Sequence, residues 1–192
     1  MATPKITILR RDSHRRMPWK NGGGETVEIA VSPDGAGLAE FDWRVSMATV
    51  ATDGPFSVFS GIDRTLSILD GEGMTLFIEG REPERLTQAS APLSFAADAR
   101  TSATLIDGTI TDLNVMTRRG RFTHSMRRVS IDGNGEVELK GGTSLVLCHR
   151  GDVEIDGAAL AAGDCLLVSN EVATRRSISG KAQLFCIAVE AT

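Results

Sequence analysis

Two arginines stand in strand-like segments at positions where apolar side chains would fit the pattern. Side chains alternate between the two faces of a strand, so Arg44 shares a face with Ser46, and Arg64 shares one with Ile62 and Leu66. Arginine is rarely buried on an apolar face unless it is paired. The pattern therefore predicts that Arg64 meets either an internal carboxylate or an anionic ligand in a cavity.

An acid and an amide share one face of a later apolar strand. Asp112, Asn114 and Met116 alternate with Leu113 and Val115, so the two polar side chains point the same way. Each of them alone is consistent with a structural hydrogen bond or a solvated sheet face. Together with the two arginines, they predict an internal polar pocket.

Three consecutive glycines, Gly22, Gly23 and Gly24, follow Lys20. Glycines weaken a strand or helix interior, so this run indicates a close approach of the backbone to another group. A phosphate-binding loop needs the lysine after the glycines and a helix behind it, and this segment has neither. Two interpretations remain open: a turn or bulge, or backbone N–H groups that contact a small ligand.

The histidines and cysteines do not form a metal site or a nucleophile pair. His14, His124 and His149 lack the spacing of converging ligands, so the sequence predicts no metal and no other cofactor. Each of the three cysteines sits in an apolar run, which indicates buried free thiols. Cys148 and its neighbour His149 would point to opposite faces of a strand.

Composition limits the classes of partner. The chain has 192 residues, 41% hydrophobic content and a net charge of −4, which is typical of a globular protein and disfavours nucleic acid and anionic membranes as partners. An arginine-rich stretch at residues 118–128 is interpreted as a solvated face. The apolar runs are too short to span a bilayer, and no signal peptide is recognisable, so a cytoplasmic location is expected.

The elements that carry these residues have a β-strand rhythm. Short apolar runs such as residues 5–9 and 43–50 are separated by glycine-containing turns, with Asp70-Gly71 and Asp132-Gly133-Asn134-Gly135 among them. A strand, a glycine turn, a second strand and a return occur twice along the chain, in the order of a cupin jelly roll. The sequence therefore predicts an all-β protein with two cupin-like jelly-roll barrels, a bicupin. The expected domains are residues 1–120 and 121–192, with strand exchange between the barrels left open.

Five motifs, in order, resemble the HutD/Ves family. They are Met17-Pro-Trp-Lys-Asn-Gly-Gly-Gly-Glu-Thr26, Trp43-Arg-Val-Ser46, Asp53-Gly-Pro-Phe-Ser57, Gly61-Ile-Asp-Arg64 and Asp112-Leu-Asn-Val-Met-Thr-Arg-Arg-Gly120. The resemblance covers residues 16–122, and the remainder matches mainly by its cupin rhythm. It implies a bacterial cytoplasmic bicupin without a known catalytic metal or established enzymatic activity, associated in many members with histidine-utilisation genes. One departure is Ser60, where the family pattern usually has proline.

The resemblance also implies a set of ligand-binding residues. Carried over to this chain, the pocket comprises Trp19, Asn21, Gly22, Gly23, Gly24, Thr26, Arg44, Ser46, Asp53, Phe56, Ser57, Arg64, Asp112, Asn114 and Met116.

The polar pocket predicts binding of a small anionic metabolite, and the resemblance implies that this binding tunes or restrains histidine utilisation. Urocanate or a substituted glutamate is the expected class, with arginine on the carboxylate and an aromatic ring on the apolar surface. One alternative is a metal-free cupin isomerase or hydrolase that uses Asp53 or Asp112 as acid or base. Another is a regulator that acts through a protein partner. A homodimer is left open.

Overall fold

The protein is built almost entirely from β-strands. A computed structural model describes residues 4–20 and 22–192, and in them the only helix is a 3₁₀ turn at Arg11–Ser13. The predicted all-β class is confirmed. Within these same residues, no helix is long and apolar enough to cross a membrane.

The chain forms two compact units. The first unit is Arg15–Thr123, and the second combines residues 4–14 with His124–Thr192. The first strand, β1 (Lys5–Leu9), pairs antiparallel with β15 (Cys165–Glu171), which places the start of the chain in the second unit. The sequence-based division had assigned these residues to the domain 1–120.

The first unit contains two antiparallel sheets. Its strands are β2 (Arg15–Pro18), β3 (Gly24–Ser32), β4 (Trp43–Val50), β5 (Gly54–Pro55), β6 (Ile62–Asp70), β7 (Met74–Ile78), β8 (Glu84–Leu86), β9 (Leu93–Ala96), β10 (Thr101–Leu105) and β11 (Ile110–Arg118). The six-stranded sheet has the order β2-β3-β4-β11-β6-β9, and the four-stranded sheet has the order β5-β10-β7-β8. The two family motifs at β4 and β11 therefore lie side by side at the centre of the larger sheet.

A shared apolar core joins these two sheets. Leu66 and Ile68 of β6 cluster with Met74 and Leu76 of β7 and with Ala103 of β10. Alternation along β6 places Arg64 on the same face as Leu66, as the sequence predicts. The polar side chains of the predicted pocket therefore continue an apolar core surface.

The second unit is one six-stranded sheet. Besides β1 and β15 it contains β12 (Phe122–Leu139, whose first two residues belong to the first unit), β13 (Gly142–Ile155), β14 (Ala158–Ala161) and β16 (Thr174–Ala191). The strand order is β1-β15-β13-β16-β12, with β14 paired to β13. As described, none of the three strand orders closes on itself, so the strand pairing alone does not produce the two closed barrels that the sequence predicts.

Candidate functional site

One face of the six-stranded sheet of the first unit carries polar side chains from four neighbouring strands, β3, β4, β11 and β6. In the antiparallel register, Asn114 of β11 lies opposite Ser46 of β4, and Met116 lies opposite both Arg44 of β4 and Arg64 of β6. We call this surface the polar face. The predicted residues on it are Thr26, Arg44, Ser46, Arg64, Asp112, Asn114 and Met116.

Arg64 is buried among aromatic rings. The residue is 8% exposed, and its guanidinium carbon lies 5.3 Å from the ring centre of Phe56, 5.5 Å from that of Phe59 and 5.9 Å from that of Phe95. One terminal nitrogen donates a long hydrogen bond of 3.7 Å to Sδ of Met116. Among the described residues, its Nε has no hydrogen-bond partner and no carboxylate lies within 4 Å of the guanidinium.

Burial also changes the acidity of this arginine. Removal from water lowers the pKa of Arg64 to about 10, while the charge of Asp112 opposes that shift and the charge of Arg44 adds to it. The group is still a cation at neutral pH. Arg64 is therefore a buried positive charge with unused hydrogen-bonding capacity.

Arg44, by contrast, has an internal partner. Its Nε donates a 2.6 Å hydrogen bond to Oε2 of Glu28, and both residues are buried. The register of β3 against β4 brings this about, because it places Glu28 opposite Ser46, two residues from Arg44 on the same face. A β-bulge follows between Glu28 and Ala30. Arg44 closes a salt bridge, whereas Arg64, for which an internal carboxylate was one of the two predicted partners, has no carboxylate within salt-bridge distance among the described residues.

Asp112 and Asn114 form a buried pair next to these arginines. Asp112 is 1% exposed and Asn114 is 7% exposed, and Nδ2 of Asn114 donates a 2.5 Å hydrogen bond to Oδ1 of Asp112. Oδ1 of Asn114 has no hydrogen-bond partner among the described residues. Burial raises the pKa of Asp112 to about 7, although the charge of Arg64 and the bond from Asn114 both act to lower it.

The glycine segment packs against its own tryptophan. Nε1 of Trp19 donates a 2.8 Å hydrogen bond to Oγ1 of Thr26, which fixes the indole beside Gly24. A Cβ at Gly24 would overlap the carbonyl oxygen of Thr49 and lie 3.0 Å from the indole. The predicted close approach is thus to Trp19 and to strand β4. Gly22 has a φ of +72°, which favours glycine.

The remaining predicted residues lie around β5 or outside the described part. Phe56 contacts Arg64, as given above, whereas Asp53 and Ser57 are exposed. Oδ1 of Asp53 accepts a 2.7 Å hydrogen bond from the backbone N–H of Leu105, which is a structural role. Gly23 is buried, and its carbonyl accepts a 3.0 Å bond from the N–H of Ala51. Asn21 lies outside the described residues.

Three contributors to the site were missed by sequence reasoning. Glu28 shares a face with Thr26, and strand alternation along β3 is enough to predict that from the sequence. Phe95 lies directly opposite Arg64 in the pairing of β9 with β6, and Phe59 lies in the connection before β6. Neither aromatic contact has a signal in the local sequence, because the pairing of β9 and the path of the loop decide both.

The thiols are buried and free in the described protein, as predicted. Burial raises the pKa of Cys148 and of Cys186 to about 11 and raises that of Cys165 as well, so they remain protonated at neutral pH. Nε2 of His14 lies 2.9 Å from the carbonyl oxygen of Gly163. No group of three or more His, Cys, Asp or Glu residues in the described ranges is arranged to hold a metal ion.

Comparison with known proteins identifies the family. The HutD family model matches residues 11–186. The chain belongs to the HutD family. A protein from Pseudomonas putida, described as an uncharacterized 21.2 kDa protein in the hutC 3' region, is 32% identical over 189 residues, covering 95% of this chain and 96% of the relative. Protein Ves from Citrobacter koseri is 40% identical over 118 residues, covering 59% of this chain and 60% of the relative.

Solved structures support the same relationship. HutD from Pseudomonas fluorescens SBW25 superimposes with a TM-score of 0.84 at 33% identity, covering 98% of this chain and all of that one (100%). A cupin 2 conserved barrel domain protein from Leptotrichia buccalis has a TM-score of 0.56 at 14% identity, covering 86% and 88% of the two chains. At that identity the likeness shows a cupin-like fold alone.

Proposed function

We propose that this HutD-family protein binds a small anionic metabolite on the polar face and thereby tunes or restrains histidine utilisation. The observation that carries the proposal is Arg64, a buried cation whose Nε is unpartnered among the described residues. A buried charge is costly to keep without a partner, and this cost is the reason for assigning a ligand to Arg64. A ligand carboxylate supplies the missing acceptors.

The surroundings of Arg64 fit a carboxylate attached to an apolar or planar body. Three phenylalanine rings surround the guanidinium within 6 Å, and Trp19 and Phe56 border the same apolar core. Rings of this kind cover an apolar surface while the arginine fork binds the carboxylate. Urocanate and substituted glutamates both combine these features. The P. putida relative is named for its place beside hutC, which supports the histidine-utilisation context.

Binding and thermal melting test this proposal directly. Urocanate and N-acetylglutamate are the probes, and we expect each to raise the melting temperature of the wild type. Arg64→Ala should weaken binding by about 2–5 kcal/mol while the ligand-free protein stays folded. Arg64→Lys should also bind poorly, because a point charge does not replace the planar fork. Arg85→Ala, at an exposed position of β8, is the matched control.

Two results would contradict the binding role of Arg64. The first is a large loss of stability in ligand-free Arg64→Ala together with no ligand-induced stabilisation of the wild type. The second is unchanged affinity of Arg64→Ala for both probes.

One observation favours a metal-free enzyme as the second candidate. The buried carboxyl of Asp112 has a pKa raised to about 7, which suits general acid–base chemistry at neutral pH. Of the two acids considered for this role, Asp53 is exposed and bonded to a backbone N–H, so Asp112 is the candidate. Turnover of either probe by the pure protein, abolished in Asp112→Asn, would favour this function over simple binding.

We also propose that each unit is one cupin-like barrel and that the protein acts in the cytoplasm without nucleic acid or membrane. The shared core of the two sheets in the first unit and the cupin-like neighbour support the barrel description.

A further inference from the structure

Two unpartnered polar atoms of opposite character lie on the polar face. Nε of Arg64 is a donor and Oδ1 of Asn114 is an acceptor, and neither has a partner among the described residues. Arg64 lies opposite Met116, so Asn114 is its diagonal neighbour on the same face. The Cα atoms of such neighbours are roughly 7–8 Å apart, and both side chains project from the same face, so one small ligand can contact both. A ligand that satisfies both atoms must therefore offer a hydrogen-bond acceptor to Arg64 and a donor to Asn114.

The orientation of the Asn114 amide depends on Asp112. An ionised carboxylate only accepts hydrogen bonds, so Asn114 must turn Nδ2 towards it and leave Oδ1 facing away, as observed. A protonated Asp112 has an O–H to donate, and Oδ1 of Asn114 can then accept it. A half-turn of the amide satisfies that bond and leaves Nδ2 facing away instead.

We propose that Asn114 is a specificity-determining residue, and that the proton on Asp112 sets which of its amide atoms is left without a partner for the ligand. With Asp112 protonated, the site presents two donors, Arg64 and Nδ2 of Asn114, and binds a carboxylate. With Asp112 ionised, it presents a donor and an acceptor, and a carboxylate meets repulsion from Oδ1. Carboxylate binding is thus coupled to uptake of one proton by Asp112. This inference rests on the proposed function and deepens it.

The other charges near Asp112 are already compensated. Glu28 on β3 and Arg44 on β4 form their own salt bridge, and exposed Arg15 on β2 lies 4.0 Å from Glu28. Strand β9 and the four-stranded sheet contribute apolar side chains to the adjoining core. Arg64 on β6 is therefore the charge that Asp112 responds to among the described groups. Because burial raises the pKa of Asp112 to about 7, the proton is gained or lost near neutral pH.

Calorimetric titration of the full-length protein between pH 6 and 9 tests the coupling. The probe is N-acetylglutamate, whose carboxyl groups stay ionised throughout this range. We expect wild-type affinity to fall about tenfold per pH unit above pH 7, with uptake approaching one proton per ligand, measured in buffers of different ionisation enthalpy. Asp112→Asn is isosteric, permanently neutral and able to donate an N–H to Asn114. Its affinity should change by less than about twofold over the same range.

A second measurement needs no ligand. The side-chain amide resonances of Asn114 should titrate near pH 7 in the wild type and stay constant in Asp112→Asn. Resonances of Asn114 that do not move with pH overturn the inference, whatever the affinity does. Wild-type affinity that is constant from pH 6 to 9 also overturns it and leaves the proposed function standing. Absence of binding of both N-acetylglutamate and urocanate at every pH refutes the inference and the proposed function together.

Discussion

The buried carboxyl of Asp112 predicts an unusual effect of a neutralising substitution on stability. Asp112 is 1% exposed, and its pKa is raised from 3.8 to about 7. The folded protein therefore binds this proton more tightly than the unfolded chain does. The stability that the proton contributes is complete below pH 4 and is lost as the pH rises towards 7. Asp112→Asn removes this loss, so the variant should be more stable than the wild type in neutral and alkaline solution.

The size of the effect follows from the pKa difference. A shift of about three units corresponds to about 4 kcal/mol, and the part that develops between pH 5 and pH 8 is about 3 kcal/mol. The difference in unfolding free energy between Asp112→Asn and the wild type should therefore grow by that amount over this range. Any constant offset from repacking cancels, because only the change with pH is compared.

Urea unfolding followed by tryptophan fluorescence is the suitable assay. Both tryptophans of the chain, Trp19 and Trp43, lie in the first unit with Asp112, so the signal reports the unit that carries the substitution. A difference that stays constant from pH 5 to pH 8 would refute the raised pKa. A variant that becomes relatively less stable as the pH rises would show that Asp112 acts as a paired carboxylate of Arg64.

Two further substitutions test the packing of the site. Gly24→Ala should lower the free energy of unfolding by about 1–3 kcal/mol, because the added Cβ overlaps the carbonyl oxygen of Thr49 and crowds the indole of Trp19. If urea unfolding shows no measurable change, this close approach is contradicted. Arg44→Ala should lower the free energy of unfolding of the ligand-free protein by about 3–5 kcal/mol, because it leaves Glu28 buried without this partner. Adding Glu28→Gln to Arg44→Ala should recover part of that loss. A double variant that is no more stable than Arg44→Ala would argue against the salt bridge.

Strand periodicity predicted the polar face well because alternation is a local property. The segment 43–50 was predicted with the bounds that β4 has, and its alternation correctly placed Arg44 and Ser46 on one face. The same reasoning placed Asp112 and Asn114 together on β11. Where apolar residues alternate with polar ones over several positions, the face of each side chain follows from the backbone geometry alone.

Turn chemistry was less reliable, because a glycine in a strand resembles a glycine in a turn. Asp70-Gly71 does separate β6 from β7. The predicted turn at Asp132-Gly133-Asn134-Gly135 was wrong: it lies inside β12, where Gly133 has a φ of +99°. Pairing of β12 with β16 continues the strand through a sequence that would otherwise favour a turn, and that long-range contact has no local signal.

The difference between the two arginines also could not be predicted from local sequence. Which arginine is paired with an acid depends on the register of β3 against β4, which sets Glu28 close to Arg44. It also depends on strand β9 and on the loop before β6, which bring phenylalanines rather than acids to Arg64. Strand register and loop path are set by long-range packing, and the local sequence is compatible with several strand arrangements. The sequence therefore predicted a polar pocket but did not show which of its two arginines lacks a carboxylate partner.

The charges on the polar face determine how much negative charge a ligand can bury there. Glu28 neutralises Arg44, so with Asp112 protonated the face carries the single positive charge of Arg64 among its described groups. One carboxylate of N-acetylglutamate can be buried against that charge, and the second should stay in solvent. Of two analogues that each lack one carboxylate, one should keep affinity within about fivefold, since an exposed charge contributes about 0–1 kcal/mol, and the other should lose about 2–5 kcal/mol. Titration calorimetry at pH 6.5 measures the affinity of each analogue and shows which carboxylate is the buried one. A loss of more than a hundredfold for both analogues would mean that a second buried cation takes part, contrary to this charge balance.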